Sequence, residues 1–140
     1  MRLSALLLMS VWVLSGCGGT RQAIEIRDVR SPPAPPGAQV LAVYATIVAQ
    51  HDDTLLSVTT PFAREAQLHS TVEENGMMKM RHVAQLPIKA GETVQLAPGG
   101  LHLMLMGPDA ARDADTPIPL TFHFERAGDI ETAAQITKAE

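Results

Sequence analysis

Short β-prone runs, most of them alternating apolar and polar residues, recur along most of this chain. Alternation with a period of two is typical of half-buried strands, because successive side chains of a strand point to opposite faces. The predicted strands are 24–30, 39–50, 55–60, 66–73, 77–83, 93–97, 101–106 and 120–126. No long amphipathic helix competes with them. The pattern therefore predicts an all-β fold, an antiparallel β-sandwich formed by a single domain.

Turn-forming residues set the expected limits of this domain. Ser31 to Gly37 holds four prolines in seven residues and predicts an extended loop. Asn75-Gly76 lies between two alternating runs, which is a strong hairpin signal. The domain is expected to span residues 24–128. Residues 129–140 form a C-terminal tail with an ambiguous pattern, either a weak strand or a helical end.

The N-terminal segment has the features of an export signal. A positive start precedes a twelve-residue apolar run, Leu3 to Leu14, which is too short to span a bilayer as a helix. The following Leu-Ser-Gly-Cys resembles a bacterial lipobox and contains the sole cysteine, Cys17. We therefore expect residues 1–16 to be a lipoprotein signal peptide, Cys17 to be lipidated and residues 17–23 to be a tether. The alternative is an ordinary signal peptide with a chance cysteine.

This segment and the composition together limit the function. A lipid anchor predicts a periplasmic, membrane-anchored lipoprotein, and Gly18 after the cysteine favours the outer membrane. The formal charge of −4 and the lack of a basic stripe argue against nucleic-acid binding. Once Cys17 is acylated, no thiol remains for a disulfide, a nucleophile or a metal ligand. No paired carboxylates and no Ser/His/Asp set indicate an enzyme.

Methionine and histidine are concentrated between residues 69 and 106. This stretch holds five of the seven methionines and three of the five histidines. They are His69, Met77, Met78, Met80, His82, His102, Met104 and Met106. Thioether and imidazole ligands together favour a soft metal ion, with Cu(I) as the first candidate. Blue-copper electron transfer would need a cysteine thiolate, so the pattern favours carrying copper over redox cycling.

Strand geometry brings some of these side chains together. His102, Met104 and Met106 share one face of their strand. With a two-residue loop at Asn75-Gly76, His69 faces His82 and is diagonal to Met80. With a four-residue loop, His69 faces Met80 directly. Either register unites an imidazole and a thioether, but geometry alone leaves His82 and Met106 nearly as good as His69 and Met104.

At these residues the chain resembles the PCu(A)C family of periplasmic copper chaperones. The metal motif of that family is His-x10-Met-x21-His-x-Met, which His69, Met80, His102 and Met104 match without a gap. The resemblance covers about residues 24–128. It implies a cupredoxin-like sandwich that binds one Cu(I) through these four side chains. It also implies delivery to the CuA-bearing subunit of a haem-copper oxidase, alone or with Sco-type proteins.

The remaining candidates have other expected roles. Met78 and Met106 are expected to fill the core. We expect His51 to be solvated in a polar turn, and His123 to point outward between two phenylalanines. Two alternative functions stay open: a copper-buffering or resistance lipoprotein that uses the same site, or a metal-free lipoprotein whose methionines form a protein-contact patch.

Overall fold

Ten β-strands make up the described part of the chain, residues 23–109 and 115–137 of a computed structural model. In chain order they are β1 (Ile24–Ser31), β2 (Val40–Ala49), β3 (Asp53–Thr59), β4 (Ala63–Glu74), β5 (Met77–His82), β6 (Leu86–Ile88), β7 (Thr93–Leu96), β8 (Leu101–Pro108), β9 (Ile118–Phe124) and β10 (Gly128–Ile136). Within these ranges no helix is long and apolar enough to cross a membrane. The predicted all-β class is confirmed. The predicted signal peptide and Cys17 lie outside the described residues.

The strands form one sheet that closes on itself. Its order is β5-β4-β8-β7-β2-β1-β10-β9-β3-β6, with further pairings of β8 with β2 and of β4 with β3. The β3–β4 pairing, at Val58 and Ala66, closes the sheet into a barrel. Most pairings are antiparallel, as expected, but β1–β10 and β7–β8 are parallel. β5 is left at an edge of the sheet, beside β4.

The core follows from strict alternation along the central strands. In β2 every second side chain is buried, from Leu41 through Ile47 to Ala49. In β8 Leu103 and Leu105 are fully buried, which turns the alternate residues of that strand towards the outer face. Burying these aliphatic side chains is the main stabilising term. It also fixes the register, because a slip of one residue would reverse both faces.

Residues 129–136 belong to the domain, so the expected boundary at residue 128 is too early. This segment forms most of β10, which pairs with β9 along its length and with β1 at its end. Ala134 is fully buried there. Its alanine- and glutamine-containing sequence has little intrinsic strand preference. Pairing with two neighbouring strands overrides that weak preference.

A short strand, β6, also went unpredicted. It has three residues, and Pro87 at its centre argues against a strand because proline has no N–H to donate. β6 lies at the other edge of the sheet and pairs with β3, Thr54 opposite Pro87. An edge strand tolerates proline, which explains why the sequence pattern missed it.

Asp53 joins β3 to the β9–β10 turn through its buried carboxylate. Oδ1 accepts backbone N–H bonds from Thr54 at 2.7 Å and Arg126 at 3.0 Å, and Oδ2 accepts one from Ala127 at 2.9 Å. Burial of Asp53 acts to raise its pKa, but these three hydrogen bonds and the Arg126 charge outweigh it. The pKa is therefore lowered from 3.8. The Asp53 carboxylate is therefore ionised, and in this form it holds the turn that precedes β10.

We predict that Asp53→Ala lowers the free energy of unfolding by about 2 kcal/mol at pH 7, because buried N–H groups lose their acceptors. The folded pKa lies below the unfolded one, so this stabilisation is present above about pH 4 and is lost as the pH falls through the folded pKa. Urea unfolding at several pH values would measure both effects. Glu131→Ala, a change at an exposed carboxylate of β10, is the control. A constant difference between Asp53→Ala and wild type down to pH 2 would contradict the assignment.

Candidate metal centre

The β4–β5 hairpin has the two-residue loop. Asn75 and Gly76 both have positive φ, 54° and 76°, as a type I′ turn requires. Glu74 consequently pairs with Met77, and the register continues to Thr71 opposite Met80 and His69 opposite His82. Of the two registers that the sequence allowed, the structure has the one that makes His69 and Met80 diagonal neighbours.

Three imidazoles lie in one row across three strands. β4 pairs with β8 on its other side, with His69 opposite His102. The row therefore runs from His82 on β5 through His69 on β4 to His102 on β8. The ring centroids of His69 and His82 are 5.8 Å apart, and those of His69 and His102 are 6.1 Å apart. His102 is buried, whereas His82 is exposed.

Both thioethers of the expected set line a pocket beside this row. The pocket has a volume of about 220 Å³. It is lined by Met80, His102 and Met104, together with Ala42, Tyr44, Thr71, Pro98 and Gly99. His69 does not line the pocket, but its ring lies beside that of His102, with 6.1 Å between the centroids. Of the four residues that the family motif selected, three therefore line one pocket, and the fourth, His69, lies next to His102 on the neighbouring strand.

In the His69 and His102 rings, one nitrogen donates a hydrogen bond, which leaves the other nitrogen without a proton. His69 Nε2 donates to Gln67 Oε1 at 2.9 Å, and His102 Nδ1 donates to the Gly100 carbonyl at 2.9 Å. In the neutral rings, the lone pairs are therefore on His69 Nδ1 and His102 Nε2. His69 Nδ1 is buried and has no hydrogen-bond partner among the described residues. Proteins commonly orient metal-binding histidines by such a hydrogen bond from the other ring nitrogen.

His69 is also kept in the neutral state. Burial lowers its pKa from 6.5, and the neighbouring His102 and His82 lower it further when they are charged. A neutral imidazole is the form that binds a metal ion. Two imidazoles on one ion, with metal–nitrogen bonds of about 2 Å, have ring centres roughly 5 to 6 Å apart. The His69–His102 separation, 6.1 Å, lies just above this range, so a small movement of one ring would let the two imidazoles share an ion.

The donor set at this face is mixed. Among the described residues, no group of three or more His, Cys, Asp or Glu side chains is arranged to hold a metal ion. The side chains that line the pocket beside His69 and His102 include the thioethers of Met80 and Met104. Sulfur with imidazole nitrogen is a soft-metal combination. The residues therefore fit Cu(I) better than a hard cation.

The other methionines differ in their placement. Met77, Met78 and Met80 are 59%, 62% and 62% exposed. The expectation that Met78 fills the core is therefore wrong, because β5 is an edge strand with no layer over it. Met106 is half-buried and pairs with Glu65 and Val40, and it does not line the pocket.

The two remaining histidines lie apart from the site. His51 is exposed in the turn after β2, as expected. His123 alternates with the buried Phe122 and Phe124 and lies on the opposite face of β9. Its ring nitrogens contact Thr59 Oγ1 at 2.8 Å and Asp129 Oδ1 at 2.7 Å. His123 therefore links β3, β9 and β10.

Sequence reasoning missed the supporting residues of the site. Gln67 orients His69, and its position two residues before His69 in the same strand placed it on the same face. Tyr44 lines the pocket and lies under the Arg30 guanidinium, 5.9 Å from the ring centroid. The Gly100 carbonyl, which orients His102, is a backbone group and left no side-chain signal.

Solved structures identify the class of fold. The copper-bound PCuAC domain from PmoF2 superposes with a TM-score of 0.69 at 20% identity, covering 84% of this chain and 94% of that domain. The Cu(I) form of DR1885 from Deinococcus radiodurans gives a TM-score of 0.65 at 25% identity, with 85% and 83% covered. The fold is that of PCuAC domains, which confirms the predicted cupredoxin-like class.

Sequence comparison identifies the family. The chain belongs to the LpqE-like lipoprotein family, whose model matches residues 24–136. A curated relative, lipoprotein Lxx21020 of Leifsonia xyli subsp. xyli, is 41% identical over 71 residues. That match covers 50% of this chain and 43% of the relative, so the chain spans less than half of the relative's length.

We predict that NMR of the ¹⁵N-labelled protein shows opposite tautomers for the two buried rings. His69 should carry its proton on Nε2 and His102 on Nδ1, as their hydrogen bonds require. The midpoint of the His69 titration should lie below pH 6.5, because burial and its two histidine neighbours disfavour the charged form. Gln67→Leu should abolish the tautomer preference of His69 alone. A protonated Nδ1 on neutral His69 would contradict the assignment.

Proposed function

We propose that this protein is an extracytoplasmic copper chaperone that binds one Cu(I) ion. The ligands are His69 Nδ1, His102 Nε2 and the sulfur atoms of Met80 and Met104. The observation that carries the proposal is the buried Nδ1 of His69 next to His102, which has no hydrogen-bond partner in the part of the chain that the structure describes. A buried polar atom without a partner is costly, and a bound ion would remove that cost.

The structure suggests how such a site releases its ion. His102 is buried and fixed by Gly100, and His69 is fixed by Gln67. Met80 is 62% exposed on an edge strand. Thioethers are weak, neutral ligands, so Met80 would leave first and open the ion to an acceptor. The two imidazoles and Met104 would retain the ion until the acceptor supplies its own ligands.

The similar solved structures support copper as the cargo. The superposed structures include a copper-bound PCuAC domain and a Cu(I) form of DR1885. The described fold matches theirs along more than four fifths of this chain. The pocket lined by Met80, His102 and Met104, with the His69 ring beside that of His102, supports a site of sulfur and imidazole donors. Cu(I) is the ion that this donor set selects.

The family name supports a lipid anchor. We propose that residues 1–16 are removed, that Cys17 is lipidated, and that residues 17–23 tether the copper domain to a membrane facing the periplasm, the outer one in a two-membrane cell. Copper would then pass to the CuA-bearing subunit of a haem-copper oxidase, directly or through Sco-type proteins. Copper buffering would use the same site and differ only in the acceptor.

We predict one Cu(I) per chain in an anaerobic competition titration against a coloured Cu(I) chelator. Met104→Leu and His102→Gln should each weaken Cu(I) binding by at least about tenfold. Even changes to residues that only hydrogen-bond a metal ligand lower metal affinity by that factor. Met77→Leu is the matched control, because Met77 is as exposed as Met80 but pairs with Glu74, away from the row. Binding well below one ion, or equal affinities in all variants, would refute the site and favour the metal-free contact patch.

A deletion strain tests the acceptor. If the copper serves an oxidase, the strain should lose oxidase activity at limiting copper and regain it when copper is added. The chain with Met104→Leu should restore less activity than wild type. Normal oxidase activity together with sensitivity to excess copper would instead identify the buffering role.

A further inference from the structure

His69 has a second imidazole neighbour that the proposed Cu(I) set does not use. His82 lies directly opposite it on β5, and its ring is 5.8 Å from the His69 ring, slightly nearer than the His102 ring. The two planes meet at 69°. This separation fits two imidazoles on one ion with bonds of about 2 Å. By ring separation, His82 is thus at least as well placed as His102 to share an ion with His69.

The surroundings of the two neighbours differ in chemistry. His102 lines the pocket that contains the sulfur atoms of Met80 and Met104. His82 instead lines a cleft of about 200 Å³ between β3 and β4, whose lining is mostly aliphatic but includes the oxygen-bearing side chains of Glu65 and Gln67 and no methionine. Gln67 lines this cleft and also accepts the hydrogen bond from His69. His69 thus has one ring neighbour, His102, in the methionine-lined pocket and two other neighbours, His82 and Gln67, at the cleft.

We propose that His69 and His82 form a second binding mode, selective for Cu(II). Imidazole and oxygen donors suit Cu(II), whereas thioethers select Cu(I). His82 is exposed on an edge hairpin and is free to turn towards the unprotonated Nδ1 of His69. This inference rests on the proposed function because both modes use His69, so the two ions exclude one another. No redox step is involved, since each ion binds in the state in which it is supplied.

The test compares both oxidation states on the full chain. Cu(II) sulfate is titrated against glycine as competitor and the product is examined by electron paramagnetic resonance, and Cu(I) is titrated as above. His82→Gln should weaken Cu(II) by at least about tenfold, remove one nitrogen from the hyperfine pattern, and leave Cu(I) affinity within about twofold. Met104→Leu should show the opposite selectivity. His51→Gln, at an exposed histidine in a turn, is the control.

The outcomes separate the two proposals. Equal Cu(II) affinity and equal spectra in His82→Gln and wild type would overturn this inference and leave the Cu(I) site intact. Equal weakening of both ions in His82→Gln would also overturn it, because His82 would then belong to a single site. Wild-type protein that binds Cu(II) through His82 but takes no Cu(I) would support the imidazole pair and refute the chaperone. Circular dichroism checks the fold, and His82→Asn provides a second variant.

Discussion

The register between β5, β4 and β8 is the constraint on which the site depends. It is held by the Asn75-Gly76 turn on one side and by the buried leucines of β8 on the other. Any shift of one residue would send His69 to the core face and bring Leu68 out. The same pairings that stabilise the barrel therefore place three imidazoles in one row and two thioethers beside it.

The two faces of β8 show how fold and chemistry share a strand. Leu103 and Leu105 are fully buried in the barrel, and His102 and Met104 lie on the other face, where they line the pocket. Because the apolar face supplies the stability, the outer face of β8 and its neighbours can carry the His69 nitrogen, which lacks a hydrogen-bond partner among the described residues, and the exposed Met80. The site is thus rigid where β4 and β8 are central in the sheet and open where β5 is its edge. This difference between central strands and an edge strand suits a protein that must bind an ion and also release it.

Much of this arrangement follows from the sequence. Period-two alternation and turn residues predict the all-β class and most strands, and Asn-Gly predicts the hairpin, because these signals act over a few residues. Pairings between distant strands leave no local signal, which is why β10 was ambiguous and the barrel closure at Val58 was not foreseen. β6 was missed for a similar reason. A strand tolerates Pro87 only at the edge of a sheet, and only the complete sheet shows which strands are at its edges.

For the site, spacing selected four residues and the structure gathers them, but their chemistry needed the tertiary fold. The proton positions on His69 and His102 depend on Gln67 and on a backbone carbonyl. The proximity of His82 follows from the loop length, which the sequence left open. Met78 is exposed because β5 is an edge strand. The general tendency of methionine to fill a core therefore does not apply to it.

X-ray absorption spectroscopy of the Cu(I)-loaded protein tests the central claim most directly, because it reports which atoms surround the ion. A mixed first shell of two imidazole nitrogens and two sulfurs is predicted, with one sulfur lost in Met104→Leu. A shell of nitrogen and oxygen only, or a shell that Met80 and Met104 substitutions leave unchanged, would contradict it.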